Sequence, residues 1–455
     1  MYHTLKKKKI SKITQTQTQQ TQVVCEEDRI SNLPDEILVH ILSFLRMKDA
    51  VRTSILANRW RYLWTWNPSL DFSCCKPKVI DQCLDLHKAP KLHSFKVSYC
   101  NTSTAEADAL NRWLRYSATH RVEELLFSHS YGYCGDYPAS LFECQSLMQL
   151  TLRYGKLSLP VDFCGFKSLV TLCLEQVFIK GEELCTLIST CDQLENLRLI
   201  RCGFAEKQLK ISATNSSLLR HLKITSYEYP RSFGRLEINA PSLSSFTCSG
   251  WKLSLSDFPH LYKADLRFIN WNEDLNCWRR ILSAITCVRT LSAGDWLFQP
   301  KCRKHLPVLS HHFEFKYLKE LNVHINDQAS KDYLASFISL LRACPALETV
   351  CLHLRSGLER DRCIRYDRVM SWLRQIRDPV FSHDRLKKLK VVGFRSTKIE
   401  LLVLKFLLER TIALESLILI LPQRIFKSKS ELLKNELNLH KMNSTSIEIL
   451  HMRRY

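Results

Sequence analysis

Glycine is scarce in this chain, at 11 residues in 455. That argues against glycine-rich phosphate loops, and none of G-x-x-x-x-G-K, G-x-S-x-G or H-E-x-x-H occurs. Long apolar runs are missing as well. ILVHILSFL (37–45) and LLVLKFLL (401–408) are shorter and more amphipathic than the roughly 18 apolar residues a membrane span needs. The first residues hold no apolar stretch of the secretory kind. The 19 cysteines contain no C-x-x-C, the close pairing that structural zinc sites usually show. His311-His312 is a lone pair and reads as a surface feature. These absences make a non-enzymatic protein without metal or cofactor the expectation. Acidic side chains are outnumbered 45 to 66, a formal charge of +21. The basic residues run along the whole chain, without the aromatic-interleaved stripe of a nucleic-acid binder.

Residues 28–66 carry the densest local signal. Pro34 suits the first position of a helix, where a missing N–H costs nothing. Asp35 and Glu36 complement the positive end of the helix dipole. Ile37, Leu38, Ile41, Leu42 and Leu45 then follow 3.6-residue spacing. Lys48-Asp49 break the stripe, Ala50, Val51 and Ile55 form a second, and Asn58 is placed to cap a third turn carrying Trp60 and Trp64. Three helices in so few residues can scarcely bury their own apolar surface. Either they lean on the rest of the chain or they offer a face to a partner.

This stretch closely resembles the F-box, the adaptor-docking module of SCF-type ubiquitin ligases. The resemblance rests on Leu33-Pro34-Asp35-Glu36-Ile37-Leu38, Ile41, Leu42, Leu45, Ala50, Val51, Leu56 and Arg59-Trp60-Arg61-Tyr62-Leu63-Trp64. The final RWRYLW is typical of plant F-box proteins with leucine-rich repeats. The resemblance implies a Skp-type adaptor, and through it a cullin-RING ligase, docked by Leu33, Pro34, Ile37, Leu38 and Trp60. Ubiquitin transfer then belongs to other subunits, and this chain positions substrate.

L-x-x-L-x-L recurs behind this module. The clearest units are Leu147/Leu150/Leu152, Leu169/Leu172/Leu174, Leu194/Leu197/Leu199 and Leu219/Leu222/Ile224. Weaker ones begin at Leu92, Val122, Leu243, Val288, Leu318, Leu347, Leu386 and Leu414. This periodicity is the signature of leucine-rich repeats, which stack because one unit cannot bury its own apolar face. GEELCTLISTC (181–191) and KDYLASFISLLRAC (331–344) read as return helices. Cys144, Cys191 and Cys344 each precede a unit by three residues, a place filled elsewhere by Phe166, Phe258 and Phe315. There a thiol behaves as a small hydrophobe. Reduced cysteines in turn favour the nucleus and/or cytoplasm.

Residues flanking the inward leucines alternate onto the concave sheet. This places Arg153, Asn196, Arg198, His221, Lys223, Glu320, Asn322, His324, His353, Lys388 and Lys390 on one face. The site residues expected for substrate are Arg153, Arg198, His221, Lys223, Asn322, His324, His353 and Lys388. Residues 385–420 also resemble the FBD-type segment of plant F-box/leucine-rich-repeat proteins, through Leu386/Leu389/Val391, Gly393-Phe394, Glu400 and Phe406–Glu409. A lysine- and leucine-rich helix stands where that family has a glutamate-rich one, and no pattern is legible after Pro422.

The expected fold is α/β, with small all-α F-box helices followed by an irregular leucine-rich-repeat solenoid. The expected divisions are a disordered basic, Gln/Thr-rich tail at 1–27, the F-box at 28–75, repeats at 90–380 and an FBD-like cap at 381–455. The expected role is substrate recognition in an SCF-type ligase, with a protein substrate whose acidity the net charge would favour. No membrane and no nucleic acid are expected as partners. The alternative is a basic repeat scaffold that binds nucleic acid or another polyanion without any link to ubiquitin.

Overall fold

Apolar residues at the fourth and sixth places of each repeat point to one side, and that two-residue alternation builds strands. The computed structural model describes residues 30–451 apart from 31, 99–104, 130–134, 214–217, 227–233, 257, 268–274, 295–313, 326–336, 338–339, 355–382, 423–426 and 439–444. The basic tail, His311-His312 and the start of the 331–344 segment lie outside the described residues.

The chain opens with α1 (Asp35–Leu42), α2 (Met47–Arg52) and two 3-10 segments, Thr53–Ile55 and Asn58–Trp66. The first strands are β1 (Ser69–Ser73), β2 (Ser94–Ser98), β3 (Glu124–Ser128), β4 (Gln149–Arg153), β5 (Thr171–Glu175) and β6 (Asn196–Ile200). Next come β7 (Gln208–Ser212), β8 (His221–Thr225), β9 (Arg235–Asn239), β10 (Ser245–Ser249), β11 (Lys252–Leu255) and β12 (Lys263–Arg267). The last are β13 (Thr290–Ala293), β14 (Glu320–Ile325), β15 (Thr349–Leu354), β16 (Lys388–Val392), β17 (Ser416–Leu421) and β18 (Ser446–His451). Between them lie α3 (Pro77–Leu86), α4 (Ala105–Thr119), α5 (Gly181–Thr190), α6 (Leu275–Ala284), α7 (Lys398–Arg410) and α8 (Lys427–Asn438).

One 15-stranded parallel sheet takes the strands in chain order and skips β7, β9 and β11, which pair in parallel as a separate three-stranded sheet. Register is uniform. Leu150 pairs with Leu172, Leu172 with Leu197, and Leu197 with Leu222, and all are buried. The first apolar residue of every unit named above is buried as well, under the sheet. Cys144, Cys191 and Cys344 are fully buried in the same layer as Phe166, Phe258 and Phe315. All described cysteines are free. The thiol of Cys202, two residues past β6, points to the Leu174 carbonyl at 3.2 Å, so it satisfies a neighbouring repeat's backbone.

The residue after a strand often turns left-handed: Cys74, Tyr154, Gln176, Arg201, Gly250 and Gly393 all have positive φ. At several of these the N–H reaches a carbonyl at or next to the end of the following strand, as from Tyr154 to Glu175 at 2.9 Å and from Gly393 to Ile420 at 2.8 Å. Two further repeats, beyond those read in the sequence, are also present. β12 stands on Leu261, Ala264 and Leu266, and β18 continues the sheet past Pro422 on Ile447 and Ile449 with α8 beside it.

The helical module departs from the sequence reading in three details. Pro34 is the N-cap and not the first helical residue; its ψ of 150 is extended, and its carbonyl accepts from Ile37 and Leu38. Lys48 and Asp49 lie inside α2 and do not interrupt it. Asn58 begins the last 3-10 segment, whose N-cap is Ala57 without a side-chain bond. The module shares its core with the sheet: Leu38, Leu42, Met47, Trp60 and Trp64 join the cluster that holds Leu70 and Phe72 of β1.

The joint is polar and buried. Asn67 donates Nδ2–H to the Leu42 carbonyl, and its Oδ1 accepts from the Ser69 N–H. His87 Nε2 lies 2.9 Å from the Asn67 carbonyl, which can only accept, so Nε2 carries the proton. His87 Nδ1 then accepts from the Tyr116 hydroxyl at 2.6 Å. Burial pushes the Tyr116 phenol up to about 12, which keeps it a donor.

Candidate functional site

Helix α1 divides its apolar residues between two faces. Leu38 and Leu42 are fully buried, whereas Ile37, Ile41 and Phe44 recur at helical spacing on the outside with 46%, 39% and 77% of their surface exposed. Ile55, Leu56, Tyr62 and Trp66 are exposed too, at 50–87%. Eight of the seventeen exposed large hydrophobic side chains among the described residues lie within 30–66. Single exposed hydrophobes are ordinary, but a concentration of this kind marks an interaction surface. An ion pair braces it from the side: Arg59 Nη2 and Nε reach Asp35 Oδ1 at 2.6 and 2.8 Å.

The five residues expected at the adaptor fall in two places. Leu33 is half-buried against the core, and Pro34 and Ile37 are exposed. Leu38 and Trp60 are interior, at 0% and 4% exposure. They shape the module from within and present no side chain to a visitor. Their helical spacing is the same as that of an interface stripe, so the sequence pattern alone does not separate the two. Phe44 and Trp66 are exposed residues that the sequence pattern did not name. Phe44 lies in the turn beyond α1 and Trp66 at the end of a 3-10 segment.

The open face of the long sheet is ordered in three rows, set by strand register. The middle row runs Asp71, Lys96, Leu126, Thr151, Cys173, Arg198, Lys223, Thr247, Asp265, Ser292, Asn322, Cys351, Lys390, Ile418 and Glu448. Arg198, Lys223 and Asn322 are therefore aligned in it. Asn196, His221, Glu320 and Lys388 lie in the row nearer the strand starts, and Arg153, His324 and His353 in the row nearer their ends. All point away from the buried leucines, and none is fully buried.

Charge on this face is uneven. At the first strands Lys91 and His93 both pair with Glu123, which holds that carboxyl below its usual value. Lys96 lies 3.9 Å from Glu124. Further along, Arg153 Nε sits 2.9 Å from Glu175 Oε2, without its N–H aligned on the oxygen. His324 and His353 stack at 4.3 Å with rings 12° apart, and Cys351 Sγ lies 3.3 Å from His353 Nε2. A cavity of about 520 Å³ opens where the helical module meets the sheet, between Phe44 and Leu45 on one side and Asp71, His93 and Lys96 on the other. No helix among the described residues is long and apolar enough to cross a membrane.

Comparison with known proteins agrees with this layout. Residues 30–72 match the F-box domain, and residues 83–449 match the family described as At1g61320/AtMIF1, LRR domain. An Arabidopsis thaliana relative, FBD-associated F-box protein At5g60610, is 30% identical over 409 residues, covering 86% of this chain and 98% of the relative. FBD-associated F-box protein At5g38590 of the same organism is 31% identical across 58% of this chain and 66% of its own length. F-box/LRR-repeat protein At5g02910, also from Arabidopsis thaliana, is 33% identical across 52% of each. The matches to these last two thus span between half and two thirds of the relatives' own lengths.

Proposed function

The chain belongs to the F-box/leucine-rich-repeat family with an FBD-like C-terminal segment, and on that premise we propose that it is the substrate-recognition subunit of an SCF-type ubiquitin ligase. The exposed side of the helical module docks a Skp-type adaptor, which brings the cullin-RING machinery. The open sheet face, read from the sequence as concave, holds a protein substrate. Fixing both partners on one frame raises the substrate's effective concentration at the transfer machinery. The chain itself needs no catalytic group for this. Its place of action is the nucleus and/or cytoplasm.

The observation that carries the reading is the stripe of Ile37 and Ile41 on α1 with Phe44 just beyond its end, uncovered by the chain's own sheet although the opposite side of the helix is fully buried. Burying each such side chain contributes about 1.5–3 kcal/mol. A few anchors of this kind commonly dominate an interface. Leu33 and Pro34 extend the surface at the entry to the helix, and Leu38 and Trp60 support it from inside.

Co-purification of the full chain with a Skp-type adaptor tests this. The wild type is expected to capture the adaptor, and Ile37→Asp plus Phe44→Asp to lose it while the thermal unfolding midpoint stays put, because both sites are exposed. Leu33→Ala plus Pro34→Ala is expected to weaken capture. Full capture by the double aspartate variant, or none by the folded wild type, would remove the proposal.

A further inference from the structure

We propose that the middle of the open sheet face, at Arg198 and Lys223, takes an extended acidic segment of a protein partner, with a carboxylate lying between the two cations; this rests on the substrate-recognition reading. Arg198 and Lys223 pair in register on the adjacent strands β6 and β8. Their backbones are therefore about 4.8 Å apart, and both side chains leave the same face. Among the described residues neither forms an ion pair. Like charges directly across a strand pair are unfavourable. An incoming anion would relieve that repulsion.

The acids nearby are committed or distant. Glu175 faces Arg153 at 2.9 Å on the neighbouring strands. Asp265 is two strands beyond Lys223 in the row, about 10 Å away. The contrast with the first strands is sharp, since there Lys91, His93 and Lys96 each have a glutamate within 4 Å. The cationic centre is thus a local excess and not a uniform consequence of the chain's +21 charge.

The surroundings favour peptide over nucleic acid. Thr171, Asn196, Thr225 and Ser245 flank the pair with neutral hydrogen-bonding groups. The three rows across β4, β5, β6, β8 and β10 contain no Phe, Tyr or Trp and one His, His221, so no run of aromatic rings exists there for stacking successive bases. Two unanswered cations suit one or two carboxylates, whereas a phosphate backbone is followed by a longer basic track.

Fluorescence anisotropy with a short labelled peptide of alternating Glu and Ser, added to the full chain, tests this. Binding is expected to weaken as salt rises. Arg198→Glu plus Lys223→Glu is expected to weaken it about tenfold or more. Lys78→Glu plus Lys88→Glu, the same charge change at exposed lysines outside the strands of this face, is expected to leave it within about twofold. Equal loss from both pairs, no loss from the central pair, or tighter binding of a single-stranded oligonucleotide than of the peptide would overturn the proposal. Adaptor capture by the same proteins is read separately. It depends on the helical module, so its failure counts against the ligase reading and not against this site.

Discussion

Asn67 is fully buried and donates its side-chain N–H to the carbonyl of Leu42 at 3.2 Å, joining the end of α1 to the start of β1. The same amide's oxygen accepts from Ser69 at 2.9 Å, and the Asn67 main-chain carbonyl accepts from His87. The helical module is therefore stapled to the sheet by a polar residue whose every partner belongs to a different element. For a protein proposed to hold an adaptor at one end and cargo on its face, this joint sets the angle between the two.

Asn67→Ala is expected to destabilise the module by about 1–3 kcal/mol, because the Leu42 carbonyl and Ser69 N–H lose partners in a buried place. Hydrogen exchange read by mass spectrometry should quicken across residues 35–66 and stay unchanged across β13–β17. A variant with wild-type exchange throughout would show that apolar packing alone fixes the joint.

Much of the sheet was legible because its signal is repeated. Each L-x-x-L-x-L unit read in the sequence became a strand of the long sheet in the expected phase, and the polar residues between the leucines came out on one face. The strands that escaped reading have weakened signals. β12 puts Ala264 where a large residue usually stands, although Phe258, three places before Leu261, was already a hint. β1 carries its pattern in Leu70 and Phe72, directly after the tryptophan-rich segment that dominates the eye. β7, β9 and β11 each show two alternating apolar residues and no third, so nothing marks them as a separate sheet. On α1 the division between Ile37 and Leu38 was illegible for another reason: both lie on a broad apolar arc, and which edge faces inward depends on where the sheet sits.

Thiol accessibility is set by the same packing. Burial pushes the Cys144 and Cys202 thiols up to about 12 and raises those of Cys191, Cys248 and Cys344. The thiolate is the reactive form. Iodoacetamide at mildly alkaline pH is therefore expected to modify Cys74 and Cys164, which are exposed, and to spare those five until denaturant is added. Peptide mass mapping reads the result, and rapid native labelling of Cys144 or Cys344 would contradict the buried repeat position.

Gly393 shows what the scarce glycines are kept for. Its φ is +84, and a Cβ there would fall 2.1 Å from the carbonyl oxygen of Leu354, the last residue of β15. Tyr154 and Gln176 hold comparable left-handed turns with full side chains, so conformation alone does not demand glycine. The close approach of backbone does. Gly393→Ala is expected to cost at least about 1–3 kcal/mol, seen as a lower thermal midpoint and faster exchange in β16 and β17. An unchanged midpoint would mean that the turn has room to shift.

Glu400 gives the start of α7 a pH dependence. Its Oε2 accepts from the Arg395 and Thr397 N–H groups at 3.0 and 3.1 Å, and the Thr397 hydroxyl accepts from the Glu400 N–H, a reciprocal cap on the helix. Oε1 is buried without a partner. Burial outweighs the capping bonds and raises the carboxyl above its ordinary value of 4.5. A carboxyl that is harder to ionise folded than unfolded makes the native state bind more protons, so its contribution to stability falls as pH rises above 4.5 and is level once both states are ionised. Glu400→Gln keeps an acceptor for the two N–H groups and removes the charge. Its stability relative to wild type is therefore expected to improve between about pH 4 and neutrality, measured as the difference in urea midpoints. A difference that stays flat, or that moves against the variant as pH rises, would mean that the capping bonds outweigh burial and that the charge is what holds this end of the helix.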